Sequence, residues 1–146
     1  MGVLITGGNG FIGKKLVDYL SKDFSISITQ RAGEVIPQAA VKSVVTGDLS
    51  GFLEWDSAVK GCSQVVHLAS FAHKHASTIQ ELEQTNIGAL KDLLVACKNN
   101  NIKKFIYFST AYVHGKCADL DVNENSSLIK GVPQLQTRII AENLVK

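Results

Sequence analysis

Proline is scarce in this sequence, with two residues in 146, and no stretch rich in proline or glycine separates one part of the chain from another. No repeat or low-complexity tract is present either, so one domain spanning residues 1–146 is the expectation, long enough to bury a real core and too short for two. Cysteine is also sparse. Cys62, Cys97 and Cys117 are odd in number, widely spaced and in no CxxC arrangement, which points away from a disulfide framework or a zinc site and towards reduced thiols. His73-Lys74-His75 offers two imidazoles without neighbouring carboxylates or thiols, and reads as a polar loop; no metal is expected. No charge of one sign dominates: 15 basic and 13 acidic residues leave a net charge of +2, and no Lys/Arg run exceeds two. Nothing in that balance asks for nucleic acid or a membrane surface. No apolar run approaches the roughly 18 residues of a membrane span, and no basic region precedes the first apolar segment. A cytoplasmic location follows as an expectation. A formal myristoylation match at Gly2 falls in an apparent buried strand, and the sequon Asn125-Ser126-Ser127 has no secretory signal; both are discounted.

What is present is concentrated at the start of the chain. Val3-Leu4-Ile5-Thr6-Gly7-Gly8-Asn9-Gly10-Phe11-Ile12-Gly13 reads as a buried strand running into a glycine turn and then an apolar helix. A tight turn needs a residue without a Cβ penalty at positive φ, close approach to a phosphate needs a missing side chain, and helix on strand packing needs a third glycine. Gly7 or Gly8, Gly10 and Gly13 fill these roles. The unpaired N–H groups at the helix start, with the positive end of its dipole, would face an anion. Dinucleotide binding is the first expectation.

Strand and helix patterns alternate to the end, the mark of an α/β domain. Strands are expected at Gly2 to Thr6, Ser25 to Gln30, Lys42 to Thr46, Gln64 to Leu68 and Lys104 to Ser109. Helices are expected from Gly13 to Lys22, about Leu53 to Lys60, about Ile79 to Asn99, and from Pro133, a good first-turn residue, to the end. Right-handed crossovers then predict a Rossmann-type, doubly wound parallel sheet of order 3-2-1-4-5 with helices on both faces, and a ligand at its carboxyl edge. The second strand ends at Gln30-Arg31. An acidic residue there would suit the ribose 2′-OH of NAD and a basic one the 2′-phosphate of NADP, so Arg31, with no carboxylate at the strand end, gives NADP a slight preference. Lys14 and Lys15 add little weight.

The register Thr6-Gly7-x-x-Gly10-x-x-Gly13 resembles the fingerprint of the extended short-chain dehydrogenase/reductase family, the nucleotide-sugar epimerases, dehydratases and reductases. Three further elements resemble that family in the same order along the chain. Gly47-Asp48-Leu49 is similar to its adenine-contacting element, the alternative reading of Asp48 being an Asx turn or helix cap. Val65-Val66-His67-Leu68-Ala69-Ser70 is similar to its strand ending in HLAA, and Asn86 to its mid-helix asparagine. The resemblance implies an NAD(P) site formed by Gly7, Gly10, Phe11, Ile12, Gly13, Arg31, Asp48, Leu49, Leu68, Ala69, Ser70 and Asn86. The stretch from His67 to His73 looks most like the branch acting on UDP-hexoses in polysaccharide biosynthesis.

The catalytic pattern departs from the family. The segment Ser109-Thr110-Ala111-Tyr112-Val113-His114-Gly115 resembles the one carrying the family's hydroxyl residue; Thr110 takes that place and His114 replaces the Tyr of a VYG tripeptide. In the stretch beginning Pro133, Gln134 stands where the resemblance implies the catalytic Tyr and Arg138 where it implies the Lys. A glutamine amide cannot carry a proton to or from a sugar hydroxyl, and Arg138 keeps the charge without being able to release a proton. Tyr112 is a weak substitute for the missing phenol, open to packing against a neighbouring helix; Tyr107 reads as a strand residue facing the core and Tyr19 as part of the first helix. Family members also continue beyond the point where this chain stops, so the substrate half is expected to be missing, with a homo-oligomer or a separate C-terminal half making up the deficit. The expected function is the NAD(P)-binding domain of a UDP-hexose epimerase, dehydratase or 4-keto reductase, catalytically impaired. A non-catalytic NAD(P)-sensing or partner-binding module is the alternative, and a decayed remnant the third reading.

Overall fold

Five short apolar segments form one parallel sheet, with helices packed on both of its faces. The computed structural model describes residues 1–37, 39, 42–71, 78–115 and 121–146. The histidines at 73 and 75 and the cysteine at 117 lie outside the described residues. The elements run β1 (Gly2–Thr6), α1 (Phe11–Leu20), β2 (Ser25–Gln30), β3 (Lys42–Val45), α2 (Trp55–Val59), β4 (Cys62–His67), α3 (Ile79–Glu83), α4 (Ala89–Asn99), β5 (Lys104–Tyr107) and α5 (Pro133–Val145). The sheet order is β3-β2-β1-β4-β5, as the right-handed crossover rule predicts.

Side chains alternate across the sheet. Leu4 and Val65 face Trp55, Ala58, Val59, Leu93 and Ala96, so α2 and α4 cover one face. Val3, Ile5, Ile26, Ile28 and Val66 face Val17 of α1 on the other. Cys97 is buried in the first of these clusters, and burial pushes its thiol up to about 12; the half-buried Cys62 thiol is raised for the same reason. Both are poor nucleophiles at neutral pH.

Several boundaries differ from the sequence reading. Helix α1 starts at Phe11 rather than Gly13, since Gly10 is its extended N-cap residue and accepts from Lys14 N at 3.0 Å. Strand β5 stops at Tyr107 rather than Ser109: Phe108 N still donates to His67 O, but the chain of β4 turns away there and leaves no further ladder partner. The helix expected from Ile79 to Asn99 begins with a capping box between Thr78 and Glu81, and is interrupted by a π-helical turn at Gln84–Gly88.

Candidate functional site

The glycine loop closes on itself. Gly7, at φ +72°, makes the turn, and its carbonyl accepts from Gly10 N at 3.0 Å. A Cβ on Gly13 would lie 2.2 Å from Gly7 O, and one on Gly8 would lie 2.6 Å from the Ile28 side chain. The roles divide accordingly: Gly7 turns, Gly8 lets the loop settle on β2, Gly10 opens the helix and Gly13 lets the helix sit on the loop. The first N–H groups of α1 have no carbonyl one turn back to bond.

Beside this loop a cleft of about 290 Å³ opens at the carboxyl ends of β1, β2, β3 and β4. Of the residues expected in a cofactor site, Gly7, Gly10, Arg31, Asp48, Leu49, Leu68, Ala69 and Ser70 line it. Phe11 and Ile12 stand at the helix start, exposed, and Gly13 is buried beneath the loop. Leu49 is in the left-handed region at φ +73° with its side chain in the core, a conformation that bulky residues adopt only when their surroundings force it. Asp48 Oδ1 accepts from Ser50 N at 3.1 Å and from Ser50 Oγ at 2.8 Å. The Asx turn is therefore real, and it sets Asp48 at the rim of the cleft.

Asn86 does not line the cleft. The π turn carries it inward, where its Oδ1 accepts from Phe71 N at 2.8 Å and its Nδ2 donates to Thr137 Oγ1 at 3.0 Å. Its part is to hold Phe71, which does line the cleft, against α5.

The end of the cleft beside β2 corrects a premise of the sequence reading, that no carboxylate is available there. Glu34 lines the cleft, and its Oε2 accepts from Asn9 Nδ2 at 2.9 Å and from Arg31 N at 3.0 Å. The Asn9 bond, then the Arg31 N–H, hold its carboxyl below the usual range. It was missed because it lies four residues beyond β2, past the turn at Ala32-Gly33; an acidic residue just after a glycine following a strand end was the signal.

His67 was seen only as part of a motif. It is 2 % exposed, and its ring stacks on Tyr107 with centroids 5.9 Å apart. Ala69 N donates to Thr6 Oγ1 at 3.2 Å, and the same hydroxyl shares a hydrogen bond with His67 Nδ1 at 2.8 Å. Burial, and then the positive charge of Arg138, lower its pKa to about 4. Thr6 and His67 together thus fix the backbone of Ala69 at the cleft wall.

None of the catalytic candidates lines the cleft, but Arg138 bonds to Ser70, which does. Thr110 Oγ1 accepts from Tyr112 N at 3.3 Å, capping a short 3₁₀ turn at Ala111–His114. His114 donates from Nδ1 to Ser126 O at 3.1 Å. Gln134 is half-buried at the start of α5, where its backbone carbonyl accepts from Thr137 Oγ1. Arg138 crosses from α5 to the strand ends: Nη1 donates to Tyr107 OH at 3.2 Å and to Phe108 O at 3.1 Å, and Nη2 to Ser70 Oγ. Tyr107 is half-buried beside it, whereas Tyr112 is 66 % exposed. Tyr19 is on α1, exposed. Among the described residues no group of three His, Cys, Asp or Glu could hold a metal ion, and no helix is long and apolar enough to cross a membrane.

Three polar atoms of cleft-lining residues, Asn9 Oδ1, Gln30 Oε1 and Thr85 Oγ1, are buried without a hydrogen-bond partner. Buried polar groups are seldom left so, and a ligand that brings hydroxyl and amino donors would satisfy them. The residues present therefore fit a dinucleotide.

The model of the NAD dependent epimerase/dehydratase family matches residues 3–135. A dTDP-D-glucose 4,6-dehydratase of Dictyostelium discoideum is 36 % identical over 85 % of this chain and 32 % of its own length. The UDP-glucose epimerase YtcB of Bacillus subtilis, itself uncharacterized, is 29 % identical over 99 % of this chain and 50 % of its own. Among solved structures, a UDP-N-acetylglucosamine 4-epimerase of Methanobrevibacter ruminantium, in complex with UDP-N-acetylmuramic acid, superposes with a TM-score of 0.83 at 28 % identity, over 98 % of this chain and 48 % of that one. MoeE5 in complex with UDP-glucuronic acid and NAD gives 0.85 at 26 % identity, over 99 % and 48 %. The chain spans between a third and a half of the length of these relatives.

Proposed function

Because this chain belongs to the NAD dependent epimerase/dehydratase family, we propose that it forms the NAD(P)-binding part of an enzyme acting on a nucleotide-linked hexose, with its own proton-transfer capacity lost. The observation that carries the proposal is the glycine loop opening onto a cleft with three unpartnered polar atoms. Gly7, Gly10 and the start of α1 would hold the pyrophosphate, Asp48 and Leu49 the adenine, Glu34 and Arg31 the ribose, and Ala69 and Ser70 the middle of the molecule. When bound, a nicotinamide cofactor supplies a hydride acceptor and donor for a sugar carbon, C4 in the expected reaction.

The chain's own residues supply little beyond binding. Gln134 has no titratable group at the position of the base and Arg138 holds a charge it cannot give up, whereas the Thr110 hydroxyl, though it accepts from Tyr112 N, keeps its own proton to donate. Catalytic impairment rests on Gln134 and Arg138. Glu34 reverses the lean towards NADP that Arg31 alone gives: an anionic acceptor favours the 2′-hydroxyl and opposes a 2′-phosphate, so the proposed cofactor is NAD. A UDP-hexose as substrate, a role in polysaccharide synthesis and a cytoplasmic location complete this reading. Strand β5 ends the sheet, and an uncovered edge favours a second copy or a separate C-terminal half as partner.

Calorimetric titration with NAD and NADP, with Gly10→Trp as the blocked control, tests the proposal. Micromolar binding lost in the control is expected; no binding by a folded, monodisperse chain would reject it. The second reading, a non-catalytic sensor of the cofactor, is favoured by Gln134 in particular. It predicts that NAD and NADH bind with different affinities while UDP-glucose is not turned over.

A further inference from the structure

A second hollow lies on the face of the sheet covered by α2 and α4, and it shares no lining residue with the cleft. Its volume is about 240 Å³. Phe52, Leu53, Trp55 and Asp56 come to it from the approach and first turn of α2, and Asp92 and Val95 from α4. Trp55 is 2 % exposed, and its indole meets the Phe52 ring edge to face, with centroids 4.9 Å apart and planes at 85°. The indole Nε1–H is buried without a hydrogen-bond partner. A buried donor left unmet costs about 1–3 kcal/mol, so an acceptor brought from outside would stabilise this wall.

The charges beside that donor are of one sign. Asp56 and Asp92 line the hollow, and no lysine, arginine or histidine does. Asn100 Nδ2 donates to Asp56 Oδ1 at 2.7 Å and to Ala96 O at 2.9 Å, which ties the first carboxylate to the end of α4. Leu53 is 87 % exposed and Val95 59 %, so the apolar lining continues onto the open surface. The hollow is smaller than the roughly 300–1,000 Å³ of small-molecule pockets. It suits one anchoring side chain of a segment lying across its rim.

We propose that this hollow docks a protein segment anchored by an arginine, with leucine-sized apolar residues on either side. The guanidinium meets the two carboxylates and lies against the aromatic lining, a combination that an ammonium serves less well. A backbone carbonyl of the segment accepts from Trp55 Nε1, and the flanking apolar side chains cover Leu53 and Val95. That N–H is closed to solvent, so the indole turns slightly as the carbonyl arrives. The site stands independently of the cofactor reading of the cleft.

Trp55 is the one tryptophan of the chain, so its emission reports on this hollow alone. The test is fluorescence titration of the full chain with acetyl-Ala-Leu-Arg-Leu-Ala-amide and with the counterpart carrying glutamate in place of arginine. A saturable change is expected, with the arginine peptide tighter by about tenfold or more, and Asp56→Asn combined with Asp92→Asn should bring the two peptides within about threefold of each other. Both aspartates are exposed, and asparagine at 56 keeps an acceptor for Asn100, so the double variant retains the fold. No saturable change with the arginine peptide would overturn the proposal. Equal affinities for the two peptides in the unaltered chain, or a preference for arginine that survives in the double variant, would do the same. So would an emission change on concentrating the chain without peptide that the double variant lacks, since the occupant would then be a second copy.

Discussion

His67 is enclosed between the Thr6 hydroxyl and the Tyr107 ring, and it stays neutral because the folded protein offers its charged form neither water nor an anion. Its folded pKa is depressed from 6.5 to about 4, so the unfolded chain binds a proton that the folded chain refuses. The stabilisation is complete above pH 6.5 and is lost as pH falls towards 4. Between pH 7.5 and 5 the loss should amount to about 2 kcal/mol, measured by denaturant titration at each pH. His67→Gln should flatten that slope; an unchanged slope would place the protonation elsewhere. Glu34 acts through charge rather than burial. Glu34→Gln keeps acceptors for Asn9 and the Arg31 N–H but removes the anion, and should raise the affinity for NADP relative to NAD by roughly tenfold, the scale of one exposed charge beside a phosphate. Equal ratios in the two proteins would show that Glu34 does not meet the ribose. Neither residue's position was legible from the sequence. His67 belonged to a recognisable strand end, but its burial depends on Tyr107 and Phe105 of another strand, and Glu34 reaches the cleft only through the turn after β2.

Among the elements, the helix between β4 and β5 departs most from its periodicity. Read as continuous from Ile79 to Asn99, it is divided by the π turn at Gln84–Gly88, which inserts an extra residue and turns Thr85 and Asn86 into the interior. Apolar spacing cannot reveal this, because α3 and α4 each keep a helical period on either side of it. Asn86→Leu leaves Phe71 N–H without its acceptor and Thr137 Oγ1 without its donor, and should cost about 1–3 kcal/mol of stability. The shift of the denaturation midpoint measures it, and a change below about 0.5 kcal/mol, within the range of an ordinary surface substitution, would contradict the bracing role. Helix α1, by contrast, was readable to within two residues, since glycines and apolar spacing in one short stretch dictate where it can start.

At the scale of the whole molecule, sheet, helices and cleft form a unit whose ligand should stabilise it by mass action. NAD at about one hundred times its dissociation constant should add about 2.7 kcal/mol, a rise in melting temperature of roughly 5–11 °C for a domain of this size, and Gly10→Trp should abolish that rise. A shift retained in the variant would mean that NAD binds elsewhere. The sequence by itself determined the alternation of strands and helices, the sheet order and the glycine loop. Each follows from local causes: runs of apolar side chains, a residue at positive φ, and the handedness of a crossover. Only the tertiary structure decided which polar groups face the cleft and which are spent on holding it together. Asn9 meets Glu34 across 25 positions and Arg138 meets Ser70 across 68, because a parallel sheet gathers its strand ends at one edge however far apart they lie along the chain.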